Sequence, residues 1–335
     1  MPPDQDGGRT VAVTGASGVV GRHLTTRLVK QGRSVRAIVR SEDAARTVRQ
    51  IGAEPVHADI VTGEGLRDAL WGTETLFHVA AVNETCTKDP RYLEAVNIDA
   101  VRTIVATAAE AGTGRIIHTS SIAAIGEAPG IIGTEEIRHN GEYLSPYARS
   151  KHLGELAAFE TADAAGIPLV SVNPASVQGP GRSTGSAQVL IRALTMRRPL
   201  LVDAWVSIVD IEDCTAGHLA AESQGRAGER YILSGASARI TELVDLAGAA
   251  ADVDVDPRWV SEGAVRAIGR PLSAIAHALR PGLGVCPALV STLLHGHRMD
   301  GSKAERDLGV TYTPLETTIA RTIEWFRSEG LVPSA

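Results

Sequence analysis

The sequence predicts an α/β protein, a doubly wound parallel sheet with a smaller, mainly helical C-terminal lobe. Three observations predict it. Short apolar runs bounded by turn residues alternate with helical stretches through the first half of the chain, the rhythm of βαβ units. The first run, Thr10-Val11-Ala12-Val13-Thr14, passes through a glycine-rich turn directly into a helical stretch. From Arg182 the rhythm loosens and helical patterns take over. The 335 residues are 44% hydrophobic, enough for one large α/β domain or for a domain with an added lobe.

The glycine turn is Gly15-Ala16-Ser17-Gly18-Val19-Val20-Gly21. A strand, a glycine turn and a helix give the context that a phosphate-cradling loop requires. Gly15 allows the tight turn, Gly18 lets backbone N–H groups approach a pyrophosphate, and Gly21 lets helix and strand pack closely. Ser17, Val19 and Val20 complete this cradle for a dinucleotide. The second strand, 34–40, ends in Arg40, where a site selecting NAD usually carries an acid for the ribose 2′-hydroxyl. A guanidinium suits a 2′-phosphate, so the expected cofactor is NADP(H), with NAD(H) the lesser alternative. Arg36 faces the same way and either assists or is merely solvated. Glu42 and Asp43 read as first-turn helix acids.

The third strand is 54–60. Asp59, followed by Ile60, either accepts a hydrogen bond from the adenine amino group or is the N-terminal acid of a helix over 63–71. The fourth, 76–81, carries His78 as a satisfied core histidine and ends in Val79, Ala80 and Ala81, small enough for a cofactor to lie against the backbone. Residues 89–112 show helical core spacing in Val96, Val101, Ile104 and Ala108. Asn97 within it is either exposed or holds a water for proton relay. The fifth strand, 115–121, ends in Thr119, Ser120 and Ser121, at the edge where open parallel sheets place their ligands. A serine there can hydrogen-bond a reacting carbonyl oxygen.

After a Gly- and acid-rich loop, 126–144, Ser145 caps a helix with Pro146 in its first turn. It runs to about Gly166 and carries Tyr147 and Lys151, one turn apart on one face. A phenol ordinarily ionises near pH ~10, and a neighbouring ammonium lowers that value. Tyr147 can then give a proton to a carbonyl oxygen or take one from an alcohol. The sixth strand, 168–173, is followed by a rigid turn, 174–181, whose Pro174 and Val177 are expected beside the nicotinamide. Beyond it lie a helix over 186–196, a second introduced by 208–213 and reaching Glu222, a strand at 230–233, and helices from Ala236, closing with 315–326. Residues 259–297 are unusually apolar, with Val265, Ile268, Leu272, Ile275, Leu283 and Val290, and form a second core, a pocket for an apolar substrate or a subunit contact.

A net charge of −6 without a long basic run argues against nucleic acid or an anionic membrane as the main partner. Cys86, Cys214 and Cys286 are widely spaced and make no metal-ligand pattern, so they read as reduced structural thiols of a cytoplasmic protein, and no metal site is expected. Met1–Gly8 reads as a frayed polar tail rather than a signal peptide. No apolar run approaches the ~20 residues that span a bilayer.

Taken together, Thr14-Gly15-Ala16-Ser17-Gly18-Val19-Val20-Gly21, Asp59-Ile60, Val79-Ala80-Ala81, Asn97, Ser121 and Tyr147 with Lys151 resemble the extended short-chain dehydrogenase/reductase family over nearly the whole chain. Residues 35–40, 172–175, 216–219 and 302–309 are similar to its dihydroflavonol-reductase-like branch, to hopanoid-associated sugar epimerases and to 3β-hydroxysteroid dehydrogenases. The resemblance implies a Rossmann domain over 9–181, partly rejoined by 206–235, a substrate lobe from 182–205 and 236–330, and a homodimer through the helices at 89–112 and 145–166. Carried over by position, Tyr147 is the proton donor, and Lys151 holds the nicotinamide ribose and acidifies the tyrosine. Ser121 holds the carbonyl oxygen, Ser120 being the residue most easily mistaken for it, and Asn97 lies near the active site. Ile125 stands where sugar-nucleotide epimerases usually carry tyrosine, and Ile122-Ala123 replaces the Asp-Glu pair of sugar 4,6-dehydratases. The expected activity is therefore NADPH-dependent reduction of a carbonyl on an apolar cyclic or aromatic small molecule, with the reverse oxidation equally compatible. The alternatives are a sugar epimerase holding NAD tightly and a redox-sensing binding protein of the same fold; the sensor would not need the Ser/Tyr/Lys set.

Overall fold

The computed structural model describes residues 10–279 and 286–333, so the expectations for Met1–Gly8 and Leu283 lie outside the described residues. The first half alternates as β1 (Thr10–Thr14), α1 (Val19–Lys30), β2 (Ser34–Val39), α2 (Glu42–Gln50), β3 (Glu54–His57), α3 (Leu66–Leu70) and β4 (Thr75–His78). It continues with α4 (Pro90–Glu94), a π-helical turn (Ala95–Asp99), α5 (Ala100–Glu110), β5 (Arg115–Thr119), the short β6 (Ile132–Gly133), α6 (Pro146–Ala165) and β7 (Leu169–Pro174). Capping follows the local chemistry. Ser41 accepts from Ala44 N–H before α2, Asp89 from Arg91 and Tyr92 before α4, and Ser145 from Ala148 before α6, which ends on Gly166 at φ 66°.

The principal sheet has the order β3-β2-β1-β4-β5-β7 and is parallel throughout. The strand order reverses beside β1, so a crevice opens at the C-terminal ends of β1 and β4. Helices cover both faces, which is why the strands read as near-continuous apolar runs. One face buries Val11, Val13 and Ile117 under Leu24 and Leu28; the other buries Ala12, Leu76 and Ile116 under Ile104 and Val105. Each such Leu or Ile contributes about 1.5–3 kcal/mol. Four strands stop one to three residues before their expected ends. Arg40, Asp59, Val79–Ala81 and Ser120-Ser121 have left the ladder and form the rim of the crevice.

The second half departs further from expectation. It comprises β8 (Ser176–Gln178), α7 (Ala187–Thr195), β9 (Leu200–Val202), β10 (Trp205–Asp210), α8 (Ile211–Gln224), β11 (Arg230–Leu233), β12 (Ala236–Arg239) and α9 (Ile240–Ala251). There follow β13 (Arg258–Val260), α10 (Glu262–Ala264), a π-helical turn (Val265–Gly269), α11 (Arg270–Leu279), α12 (Pro287–His295), β14 (Arg298–Met299), α13 (Ser302–Leu308) and α14 (Leu315–Ser328). The turn expected at 174–181 is interrupted by β8, which pairs parallel with β10, and β12 completes that three-stranded sheet antiparallel. Residues 236–239 are thus strand, not helix. β11 takes the far edge of the principal sheet beside β7. α9 and α14 bury Leu243, Ala247, Ile319, Ile323 and Phe326 against one another.

The apolar stretch at 259–297 is not one closed core. Val265 and Val290 are buried, whereas Ile268, Leu272 and Ile275 are 60%, 60% and 56% exposed. The cysteine expectation also fails for two of the three. Cys86 and Cys286 form a disulfide, with Cα atoms 5.7 Å apart, and Cys214 is free and buried. A separation of 200 residues hides such a pair from any spacing rule. It joins the segment after β4 to the start of α12. Among the described residues no helix is long and apolar enough to cross a membrane.

Candidate active site

The glycine turn is shaped for a diphosphate. Gly15 has φ 69°, and a Cβ there would lie 2.8 Å from the Ala80 nitrogen. A Cβ on Gly21 would lie 2.1 Å from the Gly15 carbonyl oxygen, so only glycine lets α1 approach β1 this closely. Gly18 caps α1 without a side-chain acceptor, which leaves the first N–H groups of the helix to an anion. A dinucleotide therefore fits the residues present. Thr14, which the sequence reading placed at the head of the glycine motif without a role of its own, organises the neighbouring rim. Its hydroxyl bonds His78 Nδ1 at 2.8 Å and accepts from the N–H groups of Val79 and Ala80, both at 3.1 Å. His78 is thus buried and bonded on one side, while its Nε2 has no partner, and burial with the nearby Lys151 charge lowers its pKa to about 3.

At the adenosine end of the crevice, Arg40 is exposed and donates to the Tyr92 hydroxyl at 3.2 Å. Arg36 is taken up elsewhere, donating to the Trp71 carbonyl at 2.6 Å. Asp59 Oδ1 accepts from Val61 and Thr62 N–H at 2.7 and 3.2 Å. It closes a turn and is not a helix N-terminal acid, because α3 begins only at Leu66. Ile60 is buried in the core. Pro174 ends β7, but Val177 lies inside β8, packed in the core instead of on a turn.

Ser121, Tyr147 and Lys151 come together at the ends of β5 and α6. Ser121 Oγ accepts from Ala123 N–H at 3.2 Å, and Ser121 acts on Tyr147 to lower its pKa. Ser120 is buried with an unpartnered hydroxyl. Lys151 donates to the Thr119 carbonyl at 2.8 Å. The Thr119 side chain bonds His218 Nε2 at 2.9 Å, which leaves its backbone as the part facing the site. Burial lowers the Lys151 pKa to about 8, with Glu155 acting in the opposite sense. The expectation that Lys151 acidifies Tyr147 is corrected. The phenol is held above its ordinary value because burial outweighs the two groups that lower it, the Ser121 hydrogen bond and the Arg182 charge.

Asn97 is neither exposed nor free for a relay through its side chain. It is buried in the π-helical turn, where Oδ1 accepts from Val82 N–H at 2.8 Å. Its Nδ2 donates to the Val82 carbonyl and to Ser150 Oγ, both at 2.9 Å. It ties the segment after β4 to the helix turn that carries Lys151. A Cβ on Gly154 would lie 2.0 Å from the Asn97 carbonyl, so α6 packs unusually close to this turn.

Arg182, Glu155 and Asn173 were missed. Asn173 donates to the Ser121 carbonyl at 3.2 Å and to Glu155 at 2.7 Å, and Glu155 also accepts from Ser171 at 2.7 Å. A buried polar run inside an otherwise apolar strand was the available signal. Arg182 has a buried Nε without a partner, and burial lowers its pKa while Tyr147 raises it. Its charge favours the phenolate, so Arg182→Gln is expected to move the Tyr147 titration to higher pH. Ultraviolet titration reads this as the component absent from Tyr147→Phe; an unmoved midpoint removes Arg182 from the proton chemistry.

A further group missed is Glu127, which accepts from His295 Nε2 at 3.1 Å and His297 Nδ1 at 2.5 Å. Its pKa falls to about 2; burial pushes it up, but the two imidazole hydrogen bonds outweigh that.

A phosphate cradle and a Ser–Tyr–Lys set on one edge of a doubly wound sheet define an NAD(P)-dependent α/β enzyme. The chain belongs to the NAD dependent epimerase/dehydratase family, whose model matches residues 11–234. It is 30% identical to a protein of Synechocystis sp. named for dihydroflavonol 4-reductase, covering 96% of this chain and 95% of that one. It is 29% identical to the 4-hydroxy-2-methyl-3-oxo-4-farnesyl-3,4-dihydroquinoline-1-oxide ketoreductase of Stigmatella aurantiaca, over 89% and 90% of the two chains. Among solved structures it is similar to gox2253, with a TM-score of 0.85, 26% identity and coverage of 97% and 100%.

Proposed function

We propose that the protein is an NADPH-dependent carbonyl reductase of a small, apolar, cyclic or aromatic ketone or aldehyde, working reversibly as an alcohol dehydrogenase. The observation that carries this reading is the convergence of Ser121, Tyr147 and Lys151 at the end of β5, where Lys151 Nζ donates to the Thr119 carbonyl at 2.8 Å and Ser121 acts to lower the Tyr147 pKa. The glycine turn would hold a nicotinamide cofactor in the crevice, and its reduced form would supply the hydride. Tyr147 donates its phenolic proton to the carbonyl oxygen as negative charge develops there. Ser121 donates a second hydrogen bond to that oxygen, and Lys151 and Arg182 supply positive charge; preorganised donors of this kind are often worth roughly 3–4 kcal/mol each. Lys151 would hold the ribose of a bound nicotinamide cofactor, Asn97 positions the helix turn bearing Lys151, and the Asn173–Glu155 network fixes the Ser121 backbone.

The substrate side lies between the start of α6 and α12, where Tyr143, Leu144 and Pro146 face Pro287, Ala288 and Ser291 across a groove. The names of the relatives, dihydroflavonol 4-reductase and 4-hydroxy-2-methyl-3-oxo-4-farnesyl-3,4-dihydroquinoline-1-oxide ketoreductase, support a cyclic ketone as substrate. We assign 9–181 with part of 206–235 to the cofactor, and 182–205 with 236–330 to the substrate. We further propose a homodimer built through α4–α5 and α6, where Leu156 is exposed.

NADPH is proposed over NADH because Arg40 stands exposed at the end of β2. Charge-assisted hydrogen bonds contribute about 1.5–3 kcal/mol. Arg40→Ala is therefore expected to weaken NADPH roughly ten- to a hundredfold while barely changing NADH, read by fluorescence titration. Equal losses for both cofactors overturn the choice. The epimerase reading predicts NAD retained through purification and no net consumption of NADPH with any ketone, which mass spectrometry and a ketone panel distinguish.

A further inference from the structure

We propose that Glu127, His295 and His297 form a binding site for one divalent transition-metal cation of the zinc type. Glu127 Oε1, His295 Nε2 and His297 Nδ1 all lie within 4.8 Å of one another. The side chains are withdrawn from water, at 1%, 7% and 16% exposure. Both imidazoles converge on the same oxygen of the carboxylate, and Glu127 Oε2 is buried with no partner at all. A carboxylate taken out of water with one oxygen unmatched is costly. A cation shared between that carboxylate and two neutral imidazoles offsets the cost.

The three donors are held in place from both sides. Gly126, at φ 72°, delivers Glu127 just beyond the 3₁₀ turn Ile122–Ala124 that Ser121 caps. His295 is the last residue of α12, and Gly296, at φ 68°, turns the chain so that His297 returns to the same carboxylate. Immediately beyond, β14 pairs with β6 in the register Arg298 to Ile132, which fixes the two arms relative to each other. The ligands thus come from two segments about 170 residues apart and are preorganised by strand pairing.

The donor set selects the ion. Two imidazole nitrogens and one carboxylate oxygen suit zinc, cobalt, nickel or iron, and are unsuited to calcium or magnesium, which prefer oxygen throughout. Three protein ligands leave a fourth position for water or a substrate oxygen. The consequence for the fold is a second tie, besides the Cys86–Cys286 bridge, holding α12 onto the loop beside the reactive serine.

The test uses the full untagged chain, freed of metal by a chelator and titrated with Co²⁺ as a visible probe. One equivalent is expected to bind, with a ligand-field absorption band and a raised thermal midpoint. His297→Asn and, separately, the near-isosteric Glu127→Gln are expected to weaken Co²⁺ at least roughly tenfold, with NADPH binding retained as a check that each variant is folded. Absence of stoichiometric Co²⁺ binding to the unsubstituted chain overturns the proposal and leaves a metal-free Glu–His–His clamp. Binding of equal strength in folded variants also overturns it, by placing the ion elsewhere.

Discussion

Replacing Tyr147 with phenylalanine is expected to lower kcat for ketone reduction by roughly 10²- to 10⁴-fold, the ordinary contribution of a positioned general acid. NADPH affinity should hold, because the substitution removes one hydroxyl and leaves the glycine cradle and Lys151 untouched. The loss falls on kcat because the proton is given only as the carbonyl oxygen gains charge. The phenol is held above its ordinary pKa, so it remains protonated throughout the neutral range and is available as an acid there. The oxidation direction needs the phenolate, so its rate should climb with pH across the alkaline range. Steady-state rates with NADPH and a panel of cyclic ketones, alongside fluorescence titration of NADPH, separate the two quantities. Turnover by the phenylalanine variant at the unsubstituted rate would remove Tyr147 as proton donor and with it the reductase mechanism.

How far the sequence could be read depended on how local each signal was. The glycine turn, the Ser145–Pro146 helix start and the alternating core are written in residues a few positions apart, and the corresponding elements stand where the pattern places them. The carriers of the proposed chemistry lie at strand ends and on one helix face, which is also local information. What was not legible depends on contacts across the chain. No spacing rule could reveal that the Arg182 charge acts on Tyr147 or that Asn97 is consumed by Val82 and Ser150. The expected effect of Lys151 on Tyr147 failed for a related reason. Proximity along a helix fixes the direction of a charge effect, whereas the cost of burial depends on everything packed around the phenol. Beyond residue 174 the strands are two to six residues long and pair across large separations, as β8 with β10 and β14 with β6 do. Such short segments carry little periodicity of their own, and their partners decide their conformation.

The Cys86–Cys286 bridge gives the largest expected effect on stability. Closing a loop of 200 residues restricts the unfolded chain somewhat more than a short crosslink does, because the entropy grows with the logarithm of loop length, and native bridges typically contribute roughly 2–4 kcal/mol. Cys86→Ser is therefore expected to lower the unfolding free energy of the oxidised protein by about that amount, and Cys286→Ser by the same amount or slightly less. The difference arises because the Cys286 sulfur accepts from Leu289 N–H at 3.5 Å as the cap of α12, and a serine hydroxyl at this position is the better cap. A reductant should destabilise the unsubstituted chain to a similar extent and leave the Cys86→Ser variant unchanged. The functional consequence should divide by site. The glycine cradle lies on β1 and α1, away from the bridge, so NADPH affinity should persist. α12 would then lose its tie at the N-terminal end and keep its far end through His295 and His297 on Glu127 and the β14–β6 pairing, and the groove it borders with Tyr143 and Pro146 should bind ketone more weakly, seen as a raised KM. Thiol counting in denaturant without reductant decides whether the bridge exists in the isolated protein. One reactive thiol, from Cys214, is the expected result; three would mean that the pair is unlinked and that α12 is docked by packing and the Glu127 contact alone.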